Sequence, residues 1–272
     1  MSPRYKLRPI RLPVDRTCRA SFLRLVDLTV TLTQKEIKIR YKSNFLGYFW
    51  SLINPILSAL IIYLAIQIIL RVEMENYIAF LVTGLFAWQW FNNYLVGSCT
   101  VFLSNSSLIK KCVFPRAVLP IALNLQDTFH YAVSIPVILG FVAYYHLPIG
   151  LWTFFGIIVI LPAQFLLLLG LGLVLSSTNL FLRDVERIVM ILLNMMFYVS
   201  PILYPIALVP ESYRVLIWMN PMTSVLEAWR GVFLDAALDW NSIGAVYGYA
   251  AIAIICGAWV YRRLSPRFAE AV

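Results

Sequence analysis

Charge is scarce in this sequence. Of 272 residues, 13% are charged and 61% apolar, and the mean hydropathy is +0.80. Water-soluble domains are about a quarter charged, so this chain has too little charge to cover a water-facing surface. Histidine is rarer still, with two residues. The four cysteines, Cys18, Cys99, Cys112 and Cys256, have neither metal-ligand nor secreted-framework spacing. They read as packing residues, and no metal site is expected. None of the 12 glycines is followed by lysine. A phosphate-binding loop needs Gly-Lys-Ser/Thr, because backbone amides and the lysine together cradle the phosphates. The chain is therefore expected to hydrolyse no ATP itself.

What is abundant is uncharged length. A membrane-spanning helix needs about 20 apolar residues, and the runs from Ser43 to Leu70, Asn76 to Ile109 and Ser242 to Tyr261 each satisfy that. The run from Thr128 to Leu182 is interrupted by His146, Pro148 and Gly150, which makes it two spans and a short turn. A fifth run, Ile188 to Pro210, is punctured by Pro201 and Pro205. The expected fold is an all-α polytopic membrane protein with six transmembrane helices, at about 46–70, 77–103, 118–145, 151–178, 188–205 and 242–261. A cytoplasmic segment of residues 1–42 precedes the transmembrane domain of residues 43–262, and residues 263–272 form a cytoplasmic tail.

The 22 basic residues orient this arrangement. With the N-terminus inside, 19 of them fall on the inner side, and Arg71, Arg214 and Arg230 on the other. The positive-inside rule asks for that asymmetry. A net charge of +9 could also suggest nucleic-acid binding, but basic residues flanking apolar spans need no such partner. Residues 1–42 put too long a polar stretch before the first apolar core for a signal peptide. Within them, Ala20 to Lys42 mixes Phe22, Leu25, Val26, Leu28, Leu32 and Ile39 with basic residues, as an N-terminal amphipathic interface helix would. A cytoplasmic helix packed on protein is the alternative.

Between the fifth and sixth spans, Val215 to Leu226 is charge-free yet too short to cross. Both of its ends must stay outside if the sixth span is to return inward. A re-entrant outer hairpin meets both demands, with helices at about Glu211 to Met219 and Met222 to Leu234 broken at Asn220-Pro221. Tyr213, Trp218, Asn220, Pro221, Glu227 and Arg230 would form its gate. A segment lying flat on the surface is the alternative. Two ionisable pairs also stand out. Asp127 and His130, three apart, share a helix face inside the third span, either as a functional relay or as a satisfied structural pair. Glu227 and Arg230 have the same spacing and could latch the hairpin or be exposed.

Several blocks, in order, carry a family resemblance. Gln34 to Pro55 reads QKEIKIRYKSNFLGYFWSLINP. Leu81 to Pro120 contains TGLFAWQWF and SNSSLIKKCVFPRAVLP, and Asn179 to Arg230 contains NLFLRDVERI, YVSPILYP and NPMTSVLEAWR. Together they resemble the type-2 ABC-exporter permeases, most closely the Wzm-like branch that exports O-antigen and related lipid-linked polysaccharides. Capsule and teichoic acid exporters are near relatives of that branch, and drug exporters are more distant ones.

The resemblance implies a homodimer in the bacterial inner membrane, enclosing a channel and docked to two cytoplasmic ABC ATPase subunits that hold the ATP and Mg2+. It also implies an undecaprenyl-diphosphate-linked polysaccharide as cargo, surrounded by membrane lipids. In the inner loop from Ser104 to Pro120, it casts Ser107, Lys110, Lys111, Phe114, Pro115 and Arg116 as the contact with the ATPase. A sugar path needs hydroxyl-seeking groups beside aromatic faces. Trp50, Ser51, Asn54 and Ser58 in the first span, and Asn194, Tyr198 and Pro201 in the fifth, offer both at helical spacing. Helix-joining contacts and interfacial belts are their other uses. A lipid-linked glycosyltransferase would need an accessible acidic cluster. The short outer loop with Glu73 and Glu75 is the one such cluster, and it is too small to hold a donor sugar.

Overall fold

The computed structural model describes residues 18–41, 48–112 and 114–268, and among them every regular element is helical. Ten α-helices follow in order: α1 (Cys18–Tyr41), α2 (Tyr48–Tyr63), α3 (Tyr77–Ser104), α4 (Ser106–Lys111), α5 (Val118–Tyr144), α6 (Leu151–Asn179), α7 (Asp184–Val199), α8 (Glu211–Trp218), α9 (Pro221–Leu234) and α10 (Trp240–Leu264). A π-helical turn, Leu64–Ile69, extends α2. Among the described residues, four stretches are long and apolar enough to cross a membrane: Leu52–Ile69, Val118–Tyr144, Leu151–Asn179 and Trp240–Arg267.

The central helix is α3, which touches α2, α5, α6, α7 and α9. It is 28 residues long and uncharged, but Gln89, Asn92 and Asn93 lower its hydropathy, and protein covers most of its surface. The closest pairing is between α6 and α10, where Gly170 and Gly257 bring the two backbones into contact with no room for a Cβ. Apolar burial drives little association inside lipid, so small-residue packing and interhelical hydrogen bonds carry more of it. Three buried carboxamides supply such bonds. Asn124 donates from α5 to the Phe165 carbonyl at 2.9 Å, and Asn179 donates from α6 to the Cys99 carbonyl at 2.7 Å. Gln164 donates to the Ala87 carbonyl at 3.2 Å and accepts from Trp229 Nε1 at 2.7 Å, which joins α3, α6 and α9.

The fifth apolar run folds differently from the expected 188–205. Helix α7 begins at Asp184, with Asp184 and Glu186 in its first turn, and stops at Val199. Acidic residues favour a helix N-terminus. Ser200, just before Pro201, turns to an extended φ/ψ of −70°/143°, because the proline ring disfavours helical backbone in the residue before it. Pro201 and Pro205 thus follow the helix and do not kink it. At about 1.5 Å per residue, α7 is shorter than the roughly 30 Å hydrocarbon core.

Helices α8 and α9 are separated by Met219 and Asn220. Asn220 caps α9 by accepting from the Met222 amide at 3.0 Å, and Pro221 takes the first helical position, where its missing N–H costs nothing. Most of α9 is buried. Trp229 packs against Tyr131 and stacks on Phe233, and its bond to Gln164 fixes it beside the middle of α6. At the other end of the bundle, a second cluster joins Leu32 of α1 to Phe102, Ile109, Leu119, Leu180 and Phe268. Helix α1 packs there through Leu32 and a 2.7 Å bond from Lys35 Nζ to Asn105 Oδ1, while Leu25, Val26 and Val30 stay exposed. The side chains of Phe22 and Ile39, which the sequence assigns to its apolar face, lie outside the described residues.

Candidate functional site

Three groups of residues draw together what the sequence singles out. The first surrounds α4. Ser107, Lys110, Lys111 and Pro115 are exposed, whereas Phe114 and Arg116 are half-buried. Phe114 packs against the second cluster, and Arg116 turns back onto its own chain. Its Nη1 donates to the Ser265 carbonyl at 2.8 Å, and its guanidinium lies 5.8 Å from the ring centre of Phe268. Phe268 is fully buried between Phe102, Phe181 and Tyr261. Sequence reasoning missed this aromatic plug, since a lone Phe after a basic stretch carries no periodic signal. It ties the α4 loop to α10, so the surface left exposed here is made by α4, Cys112 and Pro115.

The second group surrounds α8 and α9. Arg230 is 5% exposed, with Nη1 3.2 Å from Glu227 Oε1 and Nη2 donating to the Ile202 carbonyl at 3.1 Å. Its guanidinium stacks 3.5 Å from the centre of the Phe80 ring. Tyr77 donates to the Leu203 carbonyl at 2.7 Å beside it. The Glu227–Arg230 pair is therefore a buried clamp between α9, α3 and the segment after α7. An exposed pair is ruled out, and Arg230 is no outer surface charge. Asn220 adds a 2.7 Å bond to Ser200 Oγ. Tyr213 is exposed, and Trp218, at the end of α8, accepts through its carbonyl from Tyr249.

The third group is a cleft of about 200 Å3 between α2, α3 and α7, where Asn54 and Ser58 meet Trp88, Gln89, Asn92, Asn93 and Phe197. Asn194 and Tyr198 are exposed along α7, and Trp50 is exposed on α2. Pro201 does not continue that face. It is buried beyond the end of the helix, which corrects the grouping expected from a longer fifth helix. The side chain of Ser51 lies outside the described residues. Asp127 and His130 come together as their spacing predicts, bordering a cavity of about 20 Å3 with Gln89, Trp90, Asn93 and Tyr131. Among the described residues, Trp90 Nε1 and the Tyr131 hydroxyl are buried without a partner. The amides of α3 escaped the sequence reading because they are flanked by aromatic residues that read as core.

Residues 27–234, which contain all three groups except Tyr249, Tyr261, Ser265 and Phe268, match the ABC-2 type transporter family. The chain belongs to that family. Among its relatives, the O-antigen export system permease protein RfbA of Klebsiella pneumoniae is 39% identical over 246 residues, covering 90% of this chain and 95% of the relative. RfbA of Myxococcus xanthus is 28% identical over 249 residues, with the same coverage. The polysialic acid transport protein KpsM of Escherichia coli is 21% identical over 240 residues, covering 84% of this chain and 90% of the relative. This ABC-2 transporter is thus a multi-pass membrane protein.

Proposed function

We propose that this chain is the permease subunit of an ATP-driven exporter that carries O-antigen, or a related polysaccharide on an undecaprenyl-diphosphate lipid, across the bacterial inner membrane. The observation that carries this reading is the 39% identity to an O-antigen export permease along nearly the full length of both chains. Capsular polysaccharide is the second reading, favoured by the more distant likeness to KpsM. Deleting the chain from cells that display such a glycan, and restoring it on a plasmid, tests the proposal. Glycan should vanish from the surface and accumulate inside, then return. Undiminished display in the deletion strain would sink it.

In this reading α2, α3, α5, α6 and α10 are five crossings, α7 with the segment that follows it to Pro205 completes the sixth, and both termini are cytoplasmic. The apolar residues left exposed on α1, Leu25, Val26 and Val30, lie at the inner interface. Two copies face each other across α2 and α7, whose exposed faces combine Asn54, Asn194 and Tyr198 with Ile61, Ile191 and Met195. Helices α8 and α9 form the re-entrant outer gate, supported by the bond of Trp229 to mid-α6. The α4 loop docks on an ABC ATPase, two per complex, and ATP and Mg2+ are held there and not by this chain.

Orientation has a direct test. Cys112 is exposed just after α4. In intact cells a membrane-impermeant thiol reagent should leave it unlabelled, and in inverted vesicles it should react, as should Cys18. Labelling of Cys112 from outside would reverse the topology.

Coupling has another test. Phe114→Asp would set a charge against an apolar cluster beside the docking face, an unfavourable burial. Export should fall at least about ten-fold, the equivalent of one misplaced contact of 1–2 kcal/mol, while the permease still inserts. An abundant variant with parental export would remove Phe114 from the coupling path.

A further inference from the structure

Two kinds of carboxamide stand out among the described residues. Asn124, Gln164 and Asn179 are spent on carbonyls of neighbouring helices, the use expected of polar groups at membrane depth. Asn54, Gln89, Asn92 and Asn93 are not, and among the described residues their side chains make no hydrogen bond. Gln89 to Asn93 lie at the middle of α3, roughly 16 Å or more from either helix end. Four unpaired amides at that depth would be costly in a dry environment. They converge instead on one cleft of about 200 Å3, with the Ser58 hydroxyl at its edge.

The walls of the cleft are as telling as its floor. Trp88 and Phe197 meet edge to face across it, with ring centres 5.7 Å apart. Among the described residues no charged side chain lines it. A carboxamide both donates and accepts, so it suits a hydroxyl, which does the same. Aromatic rings suit the apolar C–H face of a sugar ring. An anionic sugar would meet no cation here and would leave its charge desolvated. Behind this surface, Gln89 and Asn93 also border the 20 Å3 cavity against α5, large enough for one water.

We propose that this cleft is a transit subsite for a single neutral hexose unit of the exported glycan, with Gln89, Asn92 and Asn93 as its hydrogen-bonding floor and Trp88 and Phe197 as its walls. The subsite rests on the exporter reading above. It selects neutral over acidic repeat units, and it releases the sugar readily because neutral hydrogen bonds are individually weak.

The test uses the full permease with its ATPase partner in cells that lack their own exporter. Two lipid-linked probes are supplied in turn, a neutral hexose polymer and a polymer with one uronic acid per repeat. The parental complex should export the neutral polymer about ten-fold faster. The double variant Asn92→Leu/Asn93→Leu should lose about ten-fold of that export per inserted permease. Asn92→Gln, which keeps a carboxamide, should retain most of it. If leucine prevents insertion, Asn54→Ala and Ser58→Ala remove single groups at the edge and should each cost about two- to five-fold. Parental export by these variants, or equal export of the two polymers, would overturn the subsite and leave the exporter reading intact. Failure of the parental complex to move either polymer would overturn the exporter reading itself.

Discussion

Leucine in place of Arg230 should open the clamp between α9 and α3, with a large loss of thermal stability and a host membrane leaky to small solutes. The guanidinium holds three elements at once: Glu227 on its own helix, the Ile202 carbonyl after α7 and the Phe80 ring on α3. Breaking a buried ion pair costs about 3–5 kcal/mol when the remaining charge stays buried. Glu227 is partly exposed, which lowers the figure to about 2–3 kcal/mol. Losing the cation–π contact adds about 1 kcal/mol. Glu227→Gln should cost less, because Arg230 keeps its carbonyl and its aromatic partner. The measurements are the unfolding midpoint of the purified protein and the uptake of a small impermeant dye by cells. An Arg230→Leu variant with a parental midpoint and a tight membrane would end the clamp interpretation.

Much of the helical framework was legible because uncharged runs in a low-charge sequence are a one-dimensional signal. Helices α3, α5 and α6, which begin at Tyr77, Val118 and Leu151, all lie in stretches that carry little or no charge. The break before Pro221 was legible for a local reason, since proline terminates or begins helices whatever surrounds it. What was not legible depends on which helices become neighbours. Arg230 reads as an outer charge until Phe80 and Ile202, both distant in sequence, are seen to enclose it. Pro201 looked like a continuation of the Asn194–Tyr198 face, but the conformation of Ser200 ends the helix first. The cleft was half legible. Asn54 and Ser58 follow from spacing on α2, but Gln89, Asn92 and Asn93 lie among Trp88, Trp90 and Phe91, and only α7 packed across them makes that mixture a site. Phe268 is the extreme case, a single residue whose role comes entirely from the four side chains around it.

The junction of α6 and α10 should tolerate no side chain at Gly170. A Cβ there would collide with the Ala253 carbonyl and the Ile254 nitrogen, which are backbone atoms that no rotamer change can move. Gly257 faces the Gly170 carbonyl in the same way, so the two glycines form one seam and substituting either must separate the helices. Ordinary overpacking costs about 1–3 kcal/mol, and here the strain falls on the most extensive helix pair of the molecule. Gly170→Leu should therefore abolish accumulation of folded permease. Gly170→Ala is the sharper experiment. In an exposed helix, alanine for glycine gains about 1 kcal/mol, so propensity and packing predict opposite signs. At Gly140, where a Cβ meets open space, Gly140→Ala should raise the unfolding midpoint or leave it unchanged. At Gly170 the same change should lower it by several degrees, the shift expected for a net loss of about 1–2 kcal/mol. If Gly170→Ala unfolds at or above the parental temperature, the seam is looser than the backbone contact implies. The helix pair would then owe its stability to its larger side chains.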